Sequence, residues 1–364
     1  MCRYSGKEEG MKKIKILIGV LIIALMCGCS ANAETIKYTG DEAVHFIDVG
    51  QGDSILVESN GQYMLVDAGE EDKGDIVVEY VRGLGIESLD YVVATHPHSD
   101  HIGGMDDVIN SLNVENIIMP DMATATKCFE NMLDDVENNN VNVIKGEAGY
   151  SFSMGDFSCS IVGPVNIGDD ANNNSVVMKL TYGNDSILLT GDCSKEEEQD
   201  IIESNADISA DLLKAGHHGS STSDSDEFVK RVSPEIAVIS CGKDNEYGHP
   251  HKETLDTFNK YGVDVYRTDE EGTIIAECSG NGINLASSDG EYIAKAENTS
   301  EENTENTNEE AINTYILNTN SKKFHREDCS SVKNMSDKNK EEYSGTAEEL
   351  ESMGYTPCGQ CKPE

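Results

Sequence analysis

The sequence predicts a mixed α/β sandwich followed by a small C-terminal metal-binding module. Three observations carry that expectation. Between residues 43 and 284, short apolar runs alternate with helical stretches and Gly-rich turns, as in a layered α/β domain. Residues 289–312 then change character, with seven Glu, one Lys and many Asn and Thr, a composition that cannot bury a core. Apolar pattern returns at Tyr315-Ile316-Leu317 and leads to Cys329, Cys358 and Cys361. The expected organisation is a signal segment over 1–33, a layered domain over 34–288, an acidic flexible linker over 289–312 and a module over 313–364.

The elements follow in order. Lys12, Lys13 and Lys15 precede an apolar stretch from Ile16 to Met26 that is too short to span a bilayer comfortably and reads as an export signal. Met11 is a more natural start than Met1. The small residue Gly28 before Cys29 makes Cys29 the expected lipid-bearing residue, with ordinary cleavage after Ala31 or Ala33 as the alternative. The expected location is the outer face of the cytoplasmic membrane, held there by the lipid, or secretion. Residues 34–40 form a tether. Apolar runs then predict strands over 43–49, 54–58, 63–67, 91–95, 116–119, 158–162, 175–182, 186–190, 211–214, 236–240, 264–267 and 272–278. Helical spacing fits 73–84, 104–111, 127–138, 195–204, 224–232 and 251–260. Gly183-Asn184-Asp185 marks a hairpin, and no repeat of motif quality is present.

Composition narrows the function classes. A hydrophobic content of 37% without Trp still permits a good core, and a net charge of −41 favours solubility. That charge argues against a broad basic groove holding nucleic acid by phosphate neutralisation alone. Bound metal ions can still attract a phosphodiester locally. Cys128, Cys159, Cys193, Cys241 and Cys278 are scattered without pair spacing and predict no particular disulfide.

The chemistry concentrates in His96, His98, Asp100 and His101, directly after the apolar run Tyr91-Val92-Val93-Ala94-Thr95. Neutral imidazoles and a carboxylate suit Zn²⁺ and its neighbours. Residues two apart in extended chain share a side, so His96 and His98 can grip one ion. Asp100 and His101 lie where the chain turns and face a second. The run Ser186–Thr190 ends in Gly191-Asp192, and a strand-end carboxylate can give one oxygen to each ion. Leu212-Leu213-Lys214-Ala215-Gly216 leads into His217-His218, one of which completes the second ion. His217, coming directly off the strand, is the expected ligand, and His218 then supports it or meets substrate.

This series resembles the metallo-β-lactamase superfamily, in particular the hydrolase domain of ComEC-type competence DNA-uptake proteins. The matching pieces are His45–Ser54 with Gly50-Gln51-Gly52-Asp53, Leu65–Gly69, Thr95–Gly104, Asn174-Ser175, Leu189–Asp192, Lys214–Ser220 and Tyr247–Pro250, in family order across 43–285. The resemblance implies an αββα sandwich with two Zn²⁺ or Mn²⁺ ions at one edge of the sheets. It departs from many members in lacking a His between 101 and 217, where Asn174 and Ser175 stand. It implies a water acidified between the ions that attacks as hydroxide, Asp100 as ligand and water-orienting residue, Asp67 as a structural acid and Asp53 as a brace for its loop. His249 is expected to contact a phosphoryl oxygen or the leaving group.

In the last segment His325, Cys329, Cys358 and Cys361 offer four tetrahedral ligands. The segment from Tyr315 resembles the zinc-binding module of Ada-type DNA-repair proteins. The expectation is one structural Zn²⁺, because a module this small needs a staple; a disulfide among the cysteines is the alternative. The sequence thus leads to an exported dinuclear hydrolase of phosphodiesters, extracellular DNA foremost, with no protein partner indicated. Competing readings are a hydrolase of another ester, such as a phosphocholine ester, or of a lactam, and a surface binding protein with a vestigial metal site.

Overall fold

The structure, a computed structural model, describes residues 42–288 and 293, and then 313–326, 329–333, 335–345, 350, 354–358 and 361. The expected export segment, Cys29, the expected tether and, residue 293 apart, the expected linker lie outside the described residues. The chain divides into two units near residue 298.

Two sheets build the first unit. One runs in the order β15 (Ile283–Ser287), β14 (Ile274–Cys278), β1 (Glu42–Phe46), β2 (Ile55–Ser59), β3 (Gln62–Val66), β4 (Ser88–Val93), β5 (Asn113–Met119) and β6 (Asn142–Lys145). The other runs β13 (Asp264–Arg267), β12 (Ile236–Ile239), β11 (Leu212–Lys214), β10 (Asp185–Leu189), β9 (Val177–Tyr182), β8 (Phe157–Gly163) and β7 (Ser151–Met154). Alternating side chains point to opposite faces of a strand. Val44, Phe46, Met64 and Val66 of one sheet therefore meet Met178, Leu180, Ile187 and Leu189 of the other in a shared core. Leu56, Leu65 and Val92 point outward under α1 (Gly74–Gly83), α3 (Met105–Ser111) and α4 (Lys127–Asn138). Leu188, Leu213 and Ala237 point outward under α5 (Lys195–Ser204), α6 (Asp226–Val232) and α7 (Lys252–Tyr261). The result is the expected αββα sandwich. Single helical turns, α2 (Ser99–Ile102) and α8 (Thr268–Glu271), were not expected.

Among the described residues of the first unit, three strands escape the sequence reading: β6, β7 and β15. All three are outermost in their sheets. An edge strand is half solvated and carries polar residues, so it lacks the apolar run by which the others announce themselves. The hairpin at Gly183-Asn184 joins β9 to β10, with Tyr182 paired to Asp185.

The topology places a site. Strands β3 to β6 run parallel, as do β10 to β13. In such arrangements ligands collect beyond the carboxyl ends of the strands. His96 follows β4, Asp192 follows β10 and the His217-His218 pair follows β11. No helix among the described residues is long and apolar enough to cross a membrane.

The second unit is a four-stranded sheet in the order β18 (Lys340–Gly345), β16 (Asn313–Asn318), β17 (Lys323–Arg326), β19 (Thr356–Pro357), with a helical turn α9 (Ser330–Lys333). Tyr315, Leu317, Phe324, Leu350 and Tyr355 fill one face, and Ile316 on the other packs with Cys329, Val332 and Cys358.

Candidate metal centre

One buried carboxylate organises the imidazoles. Asp67 ends β3 in the left-handed region, φ 59°, which turns its side chain under β4. It accepts from the Thr95 amide (2.8 Å), the Thr95 hydroxyl (2.7 Å) and His101 Nδ1 (2.8 Å). The bond from His101 fixes its proton on Nδ1 and leaves the Nε2 lone pair facing away. Thr95 has spent its hydroxyl proton on Asp67, so it accepts from His96 Nδ1 at 3.1 Å. His96 Nε2 is thereby also left as an acceptor. Ser175 Oγ stands 3.3 Å from His96 Nδ1 and accepts from the Asp192 amide at 3.1 Å.

The two oxygens of Asp192 serve two sides. Oδ1 faces His101 Nε2 at 3.1 Å and His218 Nε2 at 3.5 Å. Oδ2 faces His217 Nε2 at 3.5 Å and His96 Nε2 at 3.8 Å. His98 Nδ1 lies 3.0 Å from His96 Nε2, and Asp100 Oδ2 lies 3.2 Å from His218 Nε2. His218 gives its Nδ1 proton to the Ser240 carbonyl at 3.0 Å, so its Nε2 is a third inward acceptor. His101 Nε2, Asp192 Oδ1 and His218 Nε2 are all buried without a hydrogen-bond partner. Acceptors crowded 3.1 to 3.5 Å apart repel unless a cation sits among them. The donor set therefore fits a metal on chemical grounds. His101, Asp192, His218 and Asp53 form one group able to hold an ion, and His96, His98 and Asp192 a second.

Residues 47–243, more than half of the chain, match the metallo-beta-lactamase superfamily. The chain belongs to that superfamily. ComE operon protein 3 of Bacillus subtilis is 32% identical over 251 residues, 64% of this chain and 32% of that protein. Competence protein ComA of Neisseria gonorrhoeae is 28% identical over 236 residues, again 64% of this chain and 32% of that protein. The chain thus spans about a third of the length of these curated relatives. Among solved structures, the metallo-beta-lactamase fold protein YhfI from Bacillus subtilis aligns with a TM-score of 0.44 at 15% identity, covering 65% of this chain and 100% of that one.

Within this metallo-β-lactamase domain the histidine pair differs from the sequence expectation. His218, not His217, reaches the second pocket. Both residues sit in left-handed backbone, φ 48° and 54°, inside the tight turn Gly216–Gly219. Strand alternation has ended by then, and the turn carries the His218 ring inward while His217 stays at the rim with Nδ1 on Thr222 (3.0 Å). His217 consequently faces the Asp192 oxygen that His96 faces.

Asp53 is closer to the chemistry than a loop brace. Its Oδ2 pairs with Lys214 Nζ at 3.0 Å and its Oδ1 stands 3.4 Å from His218 Nδ1. Its amide donates to the Asp100 carbonyl at 3.1 Å. The neighbouring Gly52 is obligatory there: φ is +131° and a Cβ would lie 2.4 Å from that carbonyl oxygen. Burial would raise the Asp53 pKa, but Lys214 and His218 outweigh it and hold the carboxyl at about 2. Burial opposes charge on His96 and holds its pKa well below the usual imidazole value. Burial likewise opposes charging His101, yet Asp192 and Asp67 overcome it and raise its pKa well above that value.

His98, Asp100, His217, His218 and His249 line an open cleft of about 510 Å³. His249 is 8% exposed, and burial followed by the charges of His218 and His217 lowers its pKa to about 4. Asn174, where many superfamily members place a histidine, is turned away and bonds the Gly168 backbone at 2.8 and 2.9 Å. In the second unit His325, Cys329, Cys358 and Cys361 gather into a further group able to hold an ion.

Proposed function

We propose that this chain is an exported metal-dependent phosphodiesterase that cleaves DNA outside the cell. The division of Asp192 between two clusters of inward acceptors supports this reading most. It is the donor arrangement a pair of divalent ions requires, and such a pair, when bound, supplies Lewis acidity to both the attacking and the leaving oxygen of a phosphodiester and acidifies a water. The protein's own residues do the rest. Asp67 locks His101 directly, and His96 through Thr95, in the tautomers that present Nε2. Asp100 sits between His218 and the open cleft, where it can orient a water. His249, uncharged at neutral pH, offers the leaving or phosphoryl oxygen a hydrogen bond rather than a standing charge. Relatives named as a competence protein of Neisseria gonorrhoeae and a recombination protein of Haemophilus influenzae support a DNA substrate.

The experiment is turnover by purified residues 34–364 with Zn²⁺ or Mn²⁺. Single-stranded DNA and p-nitrophenyl diesters are expected to be cleaved, with cleavage lost in Asp100→Ala while the fold persists. Robust nitrocefin hydrolysis without cleavage of any diester would overturn the assignment. Export rests on the lysine-flanked apolar segment and Gly28-Cys29. The protein is expected to fractionate with membranes, and Cys29→Ser to release it; equal retention of both would remove the lipid anchor from this reading.

A further inference from the structure

The cleft has an aromatic lip that none of the chemistry above uses. Tyr247 is 65% exposed, more than Ile76, Leu133, Val143 and Ile167, and unlike those four it lines the cleft. Its ring lies nearly parallel to that of His249, with centroids 5.5 Å apart and planes at 21°. His249 in turn stacks toward His218 at 6.3 Å and 30°. The three rings form a stair from solvent down to the metal ligands. The outer face of the top step is open.

The loop holds that ring ready. Asn245 clamps both ends of the turn, donating to the carbonyls of Gly242 (2.9 Å) and His249 (2.6 Å) and accepting from the His249 amide (2.9 Å). The Ser221 amide donates to His251 Nδ1 at 2.9 Å, which leaves the ring proton on Nε2, and that proton goes to the Tyr247 carbonyl at 3.2 Å. The Tyr247 carbonyl is thus held by His251 and the turn around it by Asn245, while its side chain makes no hydrogen bond among the described residues. A large apolar surface left in water on a braced loop beside a reactive pocket is a preorganised contact for a flat partner.

We propose that Tyr247 is the platform on which a nucleobase of the substrate stacks, so that the substrate is a single-stranded, base-bearing phosphodiester. This rests on the phosphodiesterase reading above and narrows its substrate class. Stacking suits this protein because attraction between a base and an uncharged ring needs no basic track, and a net charge of −41 argues against a broad one. Every base has a π-face, so the contact selects for bases without selecting a sequence. A duplex hides its bases from such a ring, and a strand must be single to offer one. A quaternary ammonium would also favour an aromatic ring, but it is held by a cage of several rings, and among the described residues Tyr247 is the one Phe, Tyr or Trp lining this cleft.

The test compares an oligothymidylate with an oligomer of the same length whose bases are replaced by hydrogen, using metal-loaded protein. Tyr247→Ala is expected to lower the ratio of kcat/KM for the first over the second by about 5- to 150-fold, which is about 1–3 kcal/mol at 1.4 kcal/mol per tenfold. Tyr247→Phe and Tyr247→Trp should keep the ratio within about threefold of the parent. Val143→Ala, which removes an exposed side chain on the edge strand β6, serves as the control. Equal losses on both oligomers would mean that Tyr247 only props His249, and would overturn the proposal. A loss confined to p-nitrophenyl phosphorylcholine would overturn it in favour of a cation site. A parent that cleaves no diester at all is a separate result, which removes the underlying activity rather than the role of the ring.

Discussion

Asp192→Ala is expected to strip both ions from the hydrolase site together and to cut diester cleavage by more than the roughly 100-fold that loss of a supporting residue costs. Each oxygen of Asp192 faces a different pair of imidazole nitrogens, so its loss removes a carboxylate oxygen from both sides at once. His217→Ala should weaken the His96 side alone, since His217 reaches only the Oδ2 oxygen among the Asp192 contacts. Metal analysis of the full chain separates these outcomes. The parent is expected to carry two ions in the first unit and one on His325, Cys329, Cys358 and Cys361. Asp192→Ala should retain the last, and Asp192→Ala with Cys361→Ser should retain none. An Asp192→Ala protein that keeps two ions would show that Asp192 does not bridge. One that is metal-free from the outset would favour a disulfide in the second unit.

What the sequence made legible and what it did not have a common physical cause. His96, His98, Asp100 and His101 fall within six residues and are chemically rare as a group, so proximity along the chain already implied proximity in space. The buried strands were legible because apolar runs mark them, whereas β6, β7 and β15, at sheet edges, carry polar residues that interrupt such a run. The choice between His217 and His218 turned on two left-handed backbone conformations that neither residue type announces. Ser175 beneath His96, and Asp53 between Lys214 and His218, depend on partners brought together by the packing of one sheet on the other. A polar residue gives no sign in sequence of which distant proton it will accept. The only available hint for Asp53 was its place beside Gly50 and Gly52, residues that let the loop approach another backbone.

Lys214→Met is expected to destabilise the fold by about 3–5 kcal/mol, the cost of leaving one member of a buried ion pair alone. Lys214 and Asp53 are 0% and 1% exposed, and no water reaches either charge. Lys214 sits on β11, the central run of parallel strands, and its ammonium also donates to the Ala215 carbonyl at 2.8 Å. Removing it leaves the buried Asp53 carboxylate beside that of Asp192, with only the imidazoles of His218 and His101 to offset its charge. Lys214→Met with Asp53→Asn should recover most of the loss, because a neutral pair of similar volume needs no compensating charge. The pH dependence follows from the sign of the Asp53 shift. Its folded pKa, about 2, lies below the ordinary carboxyl value of 3.8, so the pair's contribution is complete above that value and fades as pH falls toward 2. The gap between parent and Lys214→Met in urea unfolding should therefore be full at pH 7 and narrow at pH 3. A double variant as unstable as Lys214→Met alone would place the cost in lost packing of the lysine stem instead of in the unpaired charge. That result would leave Asp53 a loop brace, as its place beside the two glycines first suggested, and would detach it from the support of His218.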